Sequence, residues 1–150
     1  MIYGDGGHAS VIKDFWDGPG DIVAIGDNAD RKRVSKEFRG VWGIAIHPTA
    51  YVSKSAHLEP GVVVMAHAVI QPHAFIGAHA IVNTGATVDH HCRVGAYAHI
   101  APGAHLCGNV EIGEGTLVGV GVGIAPRAKI PAWSLVKARH PLEIVSFLMK

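Results

Sequence analysis

Aliphatic residues recur at every sixth position through most of this chain. The series runs from Ile46 through Val64, Val82, Ile100 and Val118 to Val136, sixteen residues in all, each Val, Ile or Leu. A second series trails each by four positions, from Ala50 through Ala68, Ala86, Cys92 and Ala104 to Ser134, and all fifteen members are small. Hairpin loops vary in length, so alternating strands do not hold a fixed period over some ninety residues without a slip. A branched aliphatic side chain suits an inward strand position, and a small residue suits a corner where backbones converge. Six residues therefore make one flat face and one corner. Three faces close a triangular coil of eighteen residues, which predicts five coils beginning near residues 46, 64, 82, 100 and 118. Gly, Pro, Asn and His fall at the corners, as in Glu59-Pro60-Gly61 and Asn83-Thr84-Gly85, where turn chemistry is required. The expected architecture is mainly β, a parallel β-helix whose coils stabilise one another by stacking.

The pattern changes at both ends. Residues 1–45 read as a small βαβαβ unit: a strand over Met1–Gly4, a helix over Ala9–Trp16, a strand over Ile22–Ile25, a charged helix over Asn28–Phe38 and a third strand over Val41–Ile46. Its first turn, GDGGH, opens a helix after a strand. Exposed N–H groups there suit a phosphate, and Gly4, Gly6 and Gly7 allow close approach. Residues 137–150 read as a tail with a short apolar helix, Leu142–Met149, too short to span a bilayer.

A net charge of +1 and 17% charged residues give no field for nucleic acid or an anionic membrane. No leader pattern or membrane span is legible, so a cytoplasmic protein is expected. Two cysteines make no CxxC pair; Cys92 belongs to the inward small series, and both are expected to be reduced.

Eleven histidines are many for 150 residues. The γ-class carbonic anhydrases share a solenoid of this spacing and hold zinc between subunits with an H-x4-H pair. No two histidines here are five apart, and the six-residue steps His67–His73–His79 point to three different faces. No metal is expected. His73 and His91, eighteen apart, should stack on one edge, with His73 structural.

The stretch NTGATVDHHCRVGAYAHIAPGAHLCGNVEIG, residues 83–113, resembles the active-site segment of the hexapeptide-repeat sialic acid O-acetyltransferase and UDP-4-amino-sugar N-acetyltransferase family. MIYGDGGHASVI, VAIGDN with Arg31, and IHPTAYVS resemble that family's opening segment, later strand and entry to the repeat. The resemblance implies a left-handed coil, a homotrimer with active sites between subunits, and acetyl transfer from acetyl-CoA to an amino or hydroxyl group of a sugar or nucleotide sugar. It places the catalytic base on His90, with His91 beside it, and a second, donor-contacting histidine on His99. It places the thioester-oxygen N–H on Gly108, a further donor contact on Gly119, and acceptor binding on Gly4, Gly6, Gly7, His8 and Asp27. These residue types suit the chemistry. A neutral imidazole removes a proton as the acceptor attacks, and a glycine N–H receives the oxyanion.

The chain departs from that pattern in three ways. His91 stands where the family carries a carboxylate; a segment is missing between Trp16 and Ile22; and the chain ends in KARHPLEIVSFLMK in place of further hexads. A non-catalytic trimeric scaffold and a metal-dependent hydratase of the carbonic anhydrase type are the competing expectations.

Overall fold

The computed structural model describes residues 1–38 and 40–137. Residues 45–136 form a three-walled parallel β-helix of two-residue strands with corner turns. The first wall stacks six strands, Ala45–Ile46, Val63–Val64, Ile81–Val82, His99–Ile100, Leu117–Val118 and Leu135–Val136. The second has five, Tyr51–Val52, Val69–Ile70, Thr87–Val88, His105–Leu106 and Gly123–Ile124. The third has five, His57–Leu58, Phe75–Ile76, Arg93–Val94, Glu111–Ile112 and Lys129–Ile130. Register is the eighteen-residue step expected from sequence, with Ile46 on Val64, Val64 on Val82 and Ile100 on Val118.

Both periodic series point into one core. Val64, Ile76, Val88, Val94, Ile100 and Leu106 are buried there beside Ala68, Ala86, Cys92 and Ala104. Each large aliphatic contributes about 1.5–3 kcal/mol of transfer free energy before chain entropy is subtracted. Only the ends loosen: Ile46, with no coil beneath it, is 40% exposed.

The corners explain many of the histidines. A left-handed residue recurs every six positions from Gly61 to Trp133, and at residues 67, 73, 79 and 91 it is histidine, with φ between 55° and 60°. Glycine adopts this conformation freely, and Asn, Asp and His are the side chains most often found in it. From His67 onward the N–H of each corner residue donates to the coil below, as from His91 to the Pro72 carbonyl at 3.1 Å and from Tyr97 to the Ala78 carbonyl at 2.9 Å.

Residues 1–38 hold two short parallel strands, β1 (Ile2–Tyr3) and β2 (Ile22–Val23), and two helices, α1 (Gly7–Phe15) and α2 (Asn28–Glu37). The strand expected over Val41–Ile46 is not continuous. Trp42 makes a lone bridge to Asp21, and Ala45–Ile46 joins the solenoid instead. Gly43 explains the break: its N–H bonds the Asp21 carbonyl at 3.0 Å while its carbonyl accepts from Gly61 at 2.7 Å, so the chain switches partners there. The helix expected over Leu142–Met149 lies outside the described residues.

α1 docks on the outside of the first wall. Ala9 and Ile12, one turn apart, bury against the outward residues Ala45, Val63 and Ile81 and against Met65. α2 buries a polar face. Arg31 is 1% exposed and donates to six acceptors. They are the carbonyls of Ile25, Gly26, Asp27, His79 and Tyr97 and Oδ1 of Asn28, at 2.7–3.4 Å. One side chain thus ties the α/β unit to two successive coils.

Candidate active site

His90 sits at the corner between the second and third walls in the third coil. Oδ1 of Asp89 accepts the His90 N–H at 2.7 Å, and the left-handed His91 turns the chain so that Cys92 re-enters the core. The imidazole of His90 is left at the tip, facing the next coil. There the Asn109 N–H donates to the His90 carbonyl at 3.0 Å, and Gly108 lies directly against the ring. A Cβ on Gly108 would stand 2.6 Å from Cε1 and 2.7 Å from Nε2 of His90, so only glycine admits this approach. The Gly108 carbonyl accepts from Arg127 at 3.1 Å, and no described residue accepts the Gly108 N–H. The two groups border a cavity of about 380 Å³ lined also by Asp89, Cys107, Asn109, Pro126 and Arg127. A base and a free N–H donor on one cavity are what acyl transfer needs.

Nδ1 of His90 lies 3.2 Å from Nδ1 of His91, so one ring donates to the other. The expected stack on this edge is present: the rings of His73 and His91 are 4.9 Å apart and tilted by 34°. Cys92 is buried and free, its Sγ donating to the Cys107 carbonyl at 3.1 Å. Burial, the largest of several effects, raises its thiol pKa, which disfavours the thiolate a nucleophile needs.

His99 does not join His90 within one chain. It points outward from the first wall, beneath the docked α/β unit, and is 7% exposed. Its Nε2 is 2.9 Å from Nδ2 of Asn83, and its ring meets that of His8 edge-on at 5.4 Å. Burial, with the nearby Arg31 charge, lowers its pKa to about 4, and the same two causes lower that of His8. The N–H of Gly119 is given to the Val136 carbonyl at 2.8 Å.

Gly4, Gly6, Gly7 and His8 line a second cavity of about 270 Å³ with Gly26, Asp30 and Arg33. No side chain caps the N-terminus of α1, which leaves its first N–H groups open to a ligand. Gly4, at φ 135°, is needed where β1 meets the Ala24 carbonyl; a Cβ there would come within 2.6 Å. Asp27 falls outside this cavity, and its carboxylate caps α2 by accepting the Asp30 N–H at 2.8 Å. Arg33 went unnoticed as a lining residue because it reads as one charge among several on α2. A third hollow of about 460 Å³ runs along the third wall beside Phe75, Arg93, Glu111 and Lys129, and it contains no histidine.

No protein-family model and no curated protein sequence matches this chain. Solved structures do. The acetyltransferase domain of PglB from Neisseria gonorrhoeae is 29% identical at a TM-score of 0.80, covering 93% of this chain and 91% of that one. A perosamine N-acetyltransferase from Caulobacter crescentus, solved with CoA and GDP-perosamine, is 32% identical at a TM-score of 0.83 over 92% of this chain and 87% of that chain. The chain belongs to the hexapeptide-repeat sugar acetyltransferases. WeeI from Acinetobacter baumannii, 18% identical at a TM-score of 0.55, shares the fold.

The solenoid of this acetyltransferase is accordingly the left-handed parallel β-helix expected from the resemblance. Among the described residues no three His, Cys, Asp or Glu side chains converge as a metal site, and no helix is long and apolar enough to cross a membrane.

Proposed function

We propose that the protein transfers the acetyl group of acetyl-CoA to the amino group of a nucleotide-linked sugar, with His90 as general base and the Gly108 N–H as oxyanion donor. The observation that carries this reading is the pairing of the His90 imidazole with an N–H that no described residue accepts, across a contact only glycine permits. An amine acceptor is favoured by the relative solved with GDP-perosamine, and the donor by the PglB domain solved with acetyl-CoA. Acceptor nitrogen attacks the thioester carbonyl while His90 takes its proton, and no acyl-enzyme is required. The open N–H groups of α1 and the Arg33 guanidinium suit the diphosphate of a nucleotide sugar.

The glycine-turn cavity belongs to the unit docked on the first wall, whereas His90 occupies the opposite corner of the prism. In a homotrimer the acceptor cavity of one copy meets His90 of the next. Thiol release from acetyl-CoA, followed with GDP- and UDP-linked 4-amino sugars, tests the activity, and His90→Ala is expected to slow it by about 10²–10⁴-fold. Undiminished transfer by that variant would sink the base assignment. Mixing His90→Ala and Gly6→Val chains tests the shared site: hybrid trimers regain activity that neither parent has.

A further inference from the structure

The motif that this chain resembles places a carboxylate after its base, and here His91 stands in that position. Asp89 does not replace it, since the hydrogen bond its carboxylate makes is to the His90 backbone N–H at 2.7 Å. The ring nitrogen of His90 is met instead by Nδ1 of His91 at 3.2 Å. Behind His91 stands His73, one coil down, with ring centroids 4.9 Å apart. Neither histidine is demanded by the backbone. Both occupy left-handed corners, at φ 60° and 59°, which glycine fills at position 85 and asparagine at position 109.

We propose that His73 is a positioning residue: stacked on His91, it holds the His91 imidazole where Nδ1 accepts the Nδ1–H of His90, so that two histidines replace the histidine–carboxylate pair. The proposal rests on His90 being the base. With Nδ1–H of His90 donated to His91, the lone pair of His90 is on Nε2, the edge that lies against Gly108. His91 then carries its own proton on Nε2.

The proton balance follows from this arrangement. As the acceptor nitrogen bonds to the acetyl carbon, its proton passes to Nε2 of His90, and the Nδ1 proton of His90 passes to Nδ1 of His91. The charge then resides on His91, beside the His73 ring. When the carbon–sulfur bond breaks, the departing thiolate takes a proton from Nε2 of His90, and His91 returns its Nδ1 proton to His90. The amine hydrogen ends on the thiol, and both rings regain their starting tautomers. Other titratable groups bordering the cavity are Asp89, Cys107 and Arg127.

A double-mutant cycle with His91→Asp tests this. His73→Asn and His91→Asp both keep side chains that tolerate a left-handed corner. His73→Asn alone is expected to lower kcat about tenfold with KM unchanged, as loss of ring alignment does. In the His91→Asp background, where a carboxylate holds His90 without a stacked ring, His73→Asn is expected to leave kcat unaltered. Imidazole ¹⁵N spectra of the free protein give a readout independent of turnover. They should show His90 protonated at Nδ1 and His91 bare at Nδ1, with this ordering lost in His73→Asn while the melting temperature holds. Equal loss of kcat in both backgrounds, no loss in either, or unchanged tautomers in His73→Asn would each overturn the proposal. Full activity in His90→Ala would instead remove the base assignment itself, an outcome the spectra alone cannot mimic.

Discussion

The imidazole of His90 fills the volume that a side chain on Gly108 would need, with an added Cβ only 2.6 Å from its Cε1. Gly108 is not among the positive-φ residues, so alanine is compatible with its backbone. Gly108→Ala should therefore displace the ring without unfolding the coil. The expected outcome is a fall in kcat of about 10²-fold, the scale set by misplacing a reacting group, with a nearly unchanged melting temperature. Kinetics and calorimetry on the same preparation check it.

Arg31 is a buried cation satisfied wholly by carbonyl and amide oxygens. Burial is the main reason that its pKa falls to about 10, still well above neutrality, so it remains charged. Arg31→Met keeps the bulk and strands the carbonyls of Ile25, His79 and Tyr97. A loss on the order of 3 kcal/mol is expected from unpaired buried acceptors. It should appear as early proteolysis within residues 1–38 while the solenoid stays protected.

Acid should weaken the same junction. His79 and His99 both have folded pKa values of about 4 against 6.5 in the unfolded chain, chiefly through burial and then through Arg31. Below 6.5 the unfolded chain takes up protons that the folded one refuses. Their contribution is thus fully present above that pH and is lost as pH falls towards 4. Thermal melts between about pH 7 and pH 4.5 should show the decline. His99→Leu, which continues the apolar column of Ile81 and Leu117, should make it shallower.

At the exposed corner His67 the backbone is left-handed, with φ 57°. His67→Gly should be neutral or mildly stabilising, and His67→Val should cost about 1–2 kcal/mol because a branched Cβ clashes there. Chemical denaturation of the two variants separates them.

Much of this arrangement was legible in the sequence. The sixfold ladder places Cys92 inside, His73 below His91, and His90 at a corner of the third coil, because in-register stacking makes position along the chain equivalent to position on the prism. The outward column of the first wall was not legible. Ala45, Val63 and Ile81 stand one residue ahead of the inward ladder, and their apolar character acquires meaning only once α1 is known to cover that wall. The surroundings of His99 were hidden for this reason, since its ring meets that of His8 on the docked unit. The contacts of Arg31 were likewise hidden, because its acceptors are mostly backbone atoms that no residue pattern announces.

The eighteen-residue register also limits how such a chain can change length. Removing or adding one hexad anywhere before His90 would keep every aliphatic inward and every small residue at a corner, and the core would not sense the difference. The outer surface would. Everything after the change would turn by a third of a revolution relative to the wall that carries α1, bringing the corner proposed for catalysis to a different edge. Only whole coils restore the phase. A solenoid that tolerates six residues for folding must count in eighteens for catalysis.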